Sequence, residues 1–167
     1  MSQDQITYSA AELNITTIHL PCVIENPIQR ILLTSIGTLQ QLLCAFYNFP
    51  IKVDILYNHI TEESLPNQTV YQRRVNLTCN SKIVVIATSK MILKSSRAIS
   101  ILNNNNKIAI GQFYKIMKVF PDFQILDVSL NIDSSFSRKY ILNSCDLECQ
   151  ITEEFVSGML SPDFIFQ

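Results

Sequence analysis

The chain has 167 residues, of which 47% are hydrophobic, so it can form one domain with a sizeable core. Its net charge of −1 and the lack of a basic stripe argue against a nucleic-acid partner, and its 3 glycines leave no Gly-rich phosphate loop. Short apolar runs and an N-terminus without a signal-peptide pattern predict no membrane span and no secretory signal.

The segment before Pro50 predicts a strand and a helix. Residues 13–20 are the candidate strand, and Pro21 and Pro27 interrupt the pattern after it. The helix ends at Pro50, and its apolar side chains follow the i, i+3, i+4 and i+7 spacing of one helical face. That face consists of Leu39, Leu42, Leu43 and Phe46. The candidate N-caps are Thr34, Ser35 and Thr38.

Three strands are predicted after this helix. Residues 51–57 alternate between apolar and polar side chains, which is typical of a strand with one buried face. Residues 70–78 and 83–92 predict a hairpin, because residues 79–82 have the composition of a turn. The first strand is expected to point Ile51, Val53, Ile55 and Tyr57 inward.

The second half of the chain predicts two short helices followed by three strands. Ser95 or Ser96 can cap the first helix, which continues through Leu102. The second helix stops before Pro121, and its apolar face consists of Ile110, Phe113, Tyr114 and Met117. The strands are expected at residues 123–131, 138–143 and 147–156.

The succession of elements indicates an α+β fold. About six strands follow one another at hairpin spacing, with two or three helices inserted among them. Strands connected in this way pair antiparallel, whereas parallel pairs require long crossover connections. We therefore predict one domain over residues 1–167 with a six-stranded antiparallel sheet and no internal repeat.

Two charged residues occupy positions where strand alternation predicts an inward side chain. Arg73 and Glu153 each lie on the apolar face of a predicted strand, while Arg74 and Glu154 point the other way. A buried charge is costly unless something pairs with it. Arg73 and Glu153 therefore either form an ion pair that holds strands together or wait for a ligand with complementary polar ends.

Other polar groups suggest where such a ligand would bind. A guanidinium matches a carboxylate with two parallel hydrogen bonds. The turn at Gly37 precedes one helix and residues 110–111 begin another, and free N–H groups at helix starts favour an anion. His19 and His59 lie in no nucleophile motif, and no cluster of histidines and carboxylates suits a metal ion. The five cysteines form no regular framework, which favours free thiols.

Five short blocks carry a family resemblance. They are RILLTSIGTL at 30–39, YQRRV at 71–75, KIAIGQF at 107–113, SRKY at 137–140 and ITEEF at 151–155. In their order and spacing these blocks resemble the chorismate lyase family, and more closely its cyanobacterial and plastid branch of hypothetical chloroplast reading-frame proteins. Relatives in this branch usually carry Asp where Ile36 stands.

The resemblance implies both a fold and a reaction. The fold is a six-stranded antiparallel sheet with the active site enclosed under helical flaps. The reaction is the cofactor-independent lysis of chorismate, the small-molecule substrate, to 4-hydroxybenzoate and pyruvate. It would supply quinone biosynthesis, and the branch implies a location in the chloroplast stroma.

The resemblance also implies roles for individual residues. By this match Arg73 holds the ring carboxylate with help from the backbone N–H of Gly37. Glu153 interacts with the ring hydroxyl, together with the backbone N–H near Ile110. The substrate-binding set is completed by Thr38, Gly111 and Arg138.

Two alternatives remain open. The same fold type occurs as the effector-binding domain of some bacterial transcription regulators, so the chain could be a non-catalytic sensor of small aromatic acids. No helix-turn-helix pattern appears in the sequence, which favours the enzyme. A relative that keeps the fold without the activity is the second alternative. The sequence leaves the oligomeric state open.

Overall fold

The computed structural model describes residues 20, 22–62, 65, 68–104 and 108–167. Apart from its last residue, the predicted strand at 13–20 lies outside this part of the chain. In chain order the elements are α1 (Pro27–Thr34), α2 (Leu39–Tyr47), β1 (Ile51–Ile60), β2 (Thr69–Cys79), β3 (Lys82–Leu93), α3 (Ser96–Asn104), α4 (Ile110–Met117), β4 (Asp122–Leu130), β5 (Phe136–Asn143), β6 (Leu147–Phe155) and a terminal 3₁₀ helix, Pro162–Phe166.

The described strands form a six-stranded antiparallel sheet in the order β1-β2-β3-β6-β5-β4. The predicted α+β class and the antiparallel six-stranded sheet are therefore confirmed. The six predicted strands lie within one or two residues of these positions except at β1, which is longer than predicted. Hairpin connections within each group of three strands explain this agreement, because each pairing is local in sequence.

The order of elements repeats along the chain, although the residues do not. Each half consists of two helices followed by a three-stranded meander, first α1 to β3 and then α3 to β6. The halves join where β3 pairs with β6, so the sheet has the same succession of strands from either edge. The sequence has no internal repeat, as predicted, so the repeated order of elements becomes visible only in the topology.

Helix α1 was not predicted. Pro27 lies in its first turn, where the missing N–H of proline costs no hydrogen bond. Asn26 caps the helix, because its side-chain oxygen accepts hydrogen bonds from the backbone N–H groups of Ile28 at 2.8 Å and Gln29 at 3.3 Å. Proline begins this helix instead of interrupting the pattern, so the described part of the chain has four α-helices, not two or three.

The remaining helices lie where their apolar spacing predicts them. Thr38 occupies the N-cap of α2, although its side chain makes no capping hydrogen bond. The hydroxyl of Ser95 accepts a hydrogen bond from the backbone N–H of Ala98 at 3.2 Å and so caps α3. Helix α4 ends before Pro121, with Lys118 in the left-handed conformation at φ 57°.

A bulge in β1 changes which of its residues face inward. The pairing with β2 shifts between Ile55 and Tyr57, so that Tyr57 lies opposite Arg74 and Asn58 lies opposite Arg73. An extra residue in one strand reverses the alternation beyond it. The inward position predicted for Tyr57 is therefore wrong, and its side chain is exposed.

Two apolar clusters form the core on the helix-covered face of the sheet. The α1–α2 cluster includes Leu33, Leu43, Leu77, Val85, Phe136 and Phe155. The α3–α4 cluster includes Met91, Leu102, Phe113, Leu142 and Cys149. Between them, the four central strands carry two rows of inward residues that include the charged ones. One row is Arg73, Ser89, Ile151 and Tyr140, and the other is Val75, Ala87, Glu153 and Arg138.

We expect Phe155→Ala to lower the free energy of unfolding by about 3–5 kcal/mol. The ring of Phe155 is 1% exposed and stacks on Phe136 with centroids 4.3 Å apart, so its removal leaves a cavity in the α1–α2 cluster. Phe120→Ala is the control, because Phe120 is 99% exposed and should contribute less than about 0.5 kcal/mol. Urea denaturation measures both, and equal effects would contradict the packing described.

Candidate functional site

A cavity of about 770 Å³ lies between the two apolar clusters. The sheet forms its floor, and α2 and the start of α4 form its walls. Ala87 and Ser89 occupy the centre of the floor, and their small side chains leave space that larger Val85 and Met91 fill on either side. Small-molecule sites typically have volumes of about 300–1,000 Å³. The cavity can therefore hold a small organic ligand.

Arg73 presents an incompletely paired cation to this cavity. Its side chain is 3% exposed, and its Nη1 donates a hydrogen bond to the backbone carbonyl of Ile108 at 2.5 Å. No described residue accepts a hydrogen bond from its Nε. Burial lowers the pKa of Arg73 below its ordinary value, and the neighbouring Cys149 offsets part of this change. A buried cation with a donor unmet by the described residues favours an anionic ligand.

Glu153 pairs with Arg138 and not with Arg73. The Nε of Arg138 donates to Oε2 of Glu153 at 2.7 Å, and the hydroxyl of Tyr140 donates to Oε1 at 2.8 Å. The cause is the sheet order, since β5 lies beside β6 whereas β3 separates β6 from β2. The alternative of a direct Arg73–Glu153 ion pair is therefore wrong. Burial and the charge of Glu153 raise the pKa of Tyr140 well above its ordinary value, so this hydroxyl stays a donor.

Arg73 and Glu153 reach the cavity from different strands. Both are buried, with 3% and 6% of their surface exposed, which confirms the inward orientation predicted from alternation. The strand spacing puts them roughly 10 Å apart across the sheet and about 7 Å apart along it. A cation and an acid at this separation can contact opposite ends of a ligand with a single ring.

Arg138 connects Glu153 to the end of helix α1. Its Nη1 donates to the backbone carbonyls of Leu33 at 2.9 Å and Ser35 at 2.7 Å. Burial alone would lower the pKa of Arg138, but the charge of Glu153 and its hydrogen bond to Arg138 raise it overall. This guanidinium therefore fixes the carboxylate of Glu153 relative to the turn that leads into α2.

The start of α4 and the turn before α2 meet beside the cavity at two glycines. Gly37 has φ 66°, in the left-handed region that glycine adopts without strain. A Cβ atom on Gly111 would lie 2.8 Å from the carbonyl oxygen of Gly37, which is closer than a carbon atom tolerates. The first N–H groups of each helix lack intrahelical partners, and Thr38 and Ile110 line the cavity there. These helix starts add positive potential to the site.

The structure brings the residues predicted for the site to one cavity. Ile36 does not line it and is 42% exposed, so an acid at that position would not face the ligand. Sequence reasoning missed Ser89 and Tyr140. Alternation from Arg138 points Tyr140 inward and could have found it, whereas a lone serine carries little signal. The predicted residues that line the cavity are Gly37, Thr38, Arg73, Ile110, Gly111, Arg138 and Glu153.

The described ranges hold neither a group of metal ligands nor a helix suited to cross a membrane. No three His, Cys, Asp or Glu side chains among the described residues are grouped so that they could hold a metal ion. None of the helices in the same ranges has the length and apolar composition needed to cross a membrane. His59 is exposed on β1 away from the cavity, and His19 lies outside the described residues.

No family model matches the chain, and no curated protein matches it either. The resemblance to the chorismate lyase family therefore rests on the five sequence blocks.

We expect Gly111→Ala to destabilise the protein by about 1–3 kcal/mol, because the new Cβ meets a backbone oxygen of Gly37. In the interior of a helix, a change from Gly to Ala ordinarily raises the free energy of unfolding by roughly 0.5–1 kcal/mol. A loss of stability at Gly111 would therefore have the opposite sign. Denaturant unfolding measures the effect. Gln112→Ala on the neighbouring exposed position is the control and should change stability by less than about 0.5 kcal/mol. A stabilised Gly111→Ala would show that the two chain segments do not touch.

We expect Arg138→Met to lower the free energy of unfolding by about 3–5 kcal/mol, because Glu153 loses its buried cation. The double variant Arg138→Met/Glu153→Leu removes both charges and should be more stable than Arg138→Met alone. Lys139→Met, at the exposed neighbouring position, is the control. Thermal and urea unfolding measure the series. A double variant less stable than the single one would show that Glu153 does not depend on Arg138.

Proposed function

We propose that this protein is a chorismate lyase-like enzyme that converts chorismate to 4-hydroxybenzoate and pyruvate. The observation that carries the proposal is the placement of Arg73 and Glu153 on separate strands around one cavity. The six-stranded antiparallel sheet, which the sequence resemblance also implies, and the helices beside the cavity support the proposal. The proposed location is the chloroplast stroma, where the product would serve quinone biosynthesis.

The ring carboxylate of the substrate binds Arg73. This guanidinium retains a donor that no described residue satisfies, and a carboxylate accepts from such a group with two parallel hydrogen bonds. The backbone N–H groups near Gly37 and Ile110 provide further donors at the cavity wall. Together they give a positively polarised site for an anion.

The ring hydroxyl of the substrate donates to Glu153. Arg138 and Tyr140 each occupy one oxygen of this carboxylate, and each oxygen keeps a second lone pair for another donor. An acid already bonded to a guanidinium and a tyrosine hydroxyl is better suited to accept the hydroxyl proton in a hydrogen bond than to donate one. Glu153 therefore orients the ring.

The reaction needs little from the protein beyond position and polarity. The bond between the ring carbon and the ether oxygen breaks, the oxygen leaves with the enolpyruvyl group as enolpyruvate, and the ring carbon that bears the hydroxyl loses its hydrogen as a proton. Enolpyruvate takes up a proton to become pyruvate, and the ring becomes aromatic, which supplies the driving force. Holding the ring in a reactive geometry can contribute about 7–11 kcal/mol, and preorganised donors stabilise the developing charge. The side chains described around the cavity can supply both.

We expect purified protein to release 4-hydroxybenzoate from chorismate, and Arg73→Ala to lower kcat/KM by at least about 100-fold, or roughly 2.7 kcal/mol. Arg74→Ala is the matched control, because Arg74 lies on the opposite face of the same strand and should reduce kcat/KM less than about threefold. Product formation is followed by chromatography. Equal losses in the two variants would contradict the assignment of Arg73.

The same assay separates the alternatives. Thermal stabilisation by 4-hydroxybenzoate without turnover of chorismate would indicate a sensor of aromatic acids. Turnover that appears only in Ile36→Asp would indicate a relative that has lost its activity. We expect wild type to turn over chorismate. Because Ile36 lies outside the cavity, Ile36→Asp should leave kcat/KM within about threefold.

A further inference from the structure

The two halves of the sheet place an arginine at equivalent positions. In the first half, the bulge between Ile55 and Tyr57 lies opposite Arg74, and Arg73 is the preceding residue. In the second half, the bulge between Ile125 and Asp127 lies opposite Lys139, and Arg138 is the preceding residue. Both arginines therefore lie on the middle strand of a meander, point to the same face and are buried. The register of strand pairing also shows which residue of the third strand lies directly opposite each arginine.

The residues opposite the two arginines differ in one decisive respect. Arg138 lies opposite Glu153 on β6, whose carboxylate pairs with it. Arg73 lies opposite Ser89 on β3, at the position equivalent to Glu153. The first half thus keeps the cation and lacks the acid, and a serine leaves the volume of that acid empty.

Ser89 has the properties of a ligand-binding residue. Its side chain lines the cavity, the residue is 8% exposed, and its hydroxyl has no hydrogen-bond partner among the described residues. Directly opposed residues of an antiparallel pair have Cβ atoms about 4.5–5.5 Å apart, so an anion on Arg73 lies within reach of this hydroxyl. The neighbouring Nε of Arg73 has no acceptor among those residues either.

We propose that Ser89 is a carboxylate-binding residue that donates its hydroxyl to the anion held by Arg73. The ligand carboxylate occupies the space that corresponds to the carboxylate of Glu153 in the other half of the protein. The proposed function is needed only for the identity of the ligand as 4-hydroxybenzoate or chorismate. The site itself follows from the register, the burial and the unmet donors.

The first test compares ligands with and without a carboxylate. Ser89→Ala should weaken binding of 4-hydroxybenzoate at least about tenfold, which is the loss typical of one hydrogen bond to a charged group, and should leave 4-methylphenol binding within about twofold. Thr88→Ala, on the opposite face of the same strand, is the control and should bind both like wild type. Calorimetry or ligand-observed NMR measures the dissociation constants. Unchanged binding of 4-hydroxybenzoate, or an equal loss for both ligands, would overturn the role of Ser89.

The second test supplies the missing acid from the protein. Ser89→Glu should pair with Arg73, abolish 4-hydroxybenzoate binding and keep a melting temperature at or above that of wild type. In an Arg73→Met background the same change should lower the melting temperature, because the new carboxylate is then buried without a cation. Ser89→Glu that still binds 4-hydroxybenzoate, or that melts lower whether or not Arg73 is present, would overturn the proposal.

The two tests distinguish failure of the site from failure of the proposed function. If wild type binds no 4-hydroxybenzoate, the proposed substrate class is wrong. The coupling between Ser89→Glu and Arg73 then still decides whether an anion site exists between β2 and β3. If wild type binds and Ser89→Ala binds equally well, only the role of Ser89 fails.

Discussion

The buried ion pair between Arg138 and Glu153 is the interaction on which the rest of the site depends. It places an acid in the interior of the sheet and satisfies both of its oxygens, one through Arg138 and one through Tyr140. The same guanidinium holds the carbonyls at the end of α1. A buried pair of this kind adds little net stability, because desolvation offsets much of the attraction. Its contribution is geometric, since it fixes the acid relative to the turn before α2.

The contrast with Arg73 gives the site its polarity. Two arginines occupy equivalent places in the two halves, but only one has an acid opposite it. The unbalanced cation carries a desolvation cost that a ligand carboxylate can relieve. The buried charge of Arg73 lowers the stability of the free protein, and binding of an anion recovers that free energy as affinity, a common feature of binding sites.

The cavity itself results from side-chain size on the central strand β3. The larger Val85 belongs to the α1–α2 cluster and Met91 to the α3–α4 cluster. The small Ala87 and Ser89 lie between them and leave the cavity open. The helix starts can then approach each other, and Gly111 lies so close to the carbonyl oxygen of Gly37 that no Cβ atom fits on Gly111. The two apolar clusters lie on either side of the cavity, and the contact between Gly37 and Gly111 brings the starts of α2 and α4 close together at its wall.

Local patterns in the chain were enough to predict the strands, three of the helices and the inward direction of Arg73 and Glu153, because alternation and helical spacing depend only on neighbours in sequence. They misplaced Tyr57 and missed α1, since a bulge and a proline in a first turn leave weak local signals. Tertiary structure alone decided that Glu153 pairs with Arg138, because this follows from which strands become neighbours. It likewise decided the size of the cavity and the place of Ser89 opposite Arg73, because both depend on contacts between residues distant in the chain.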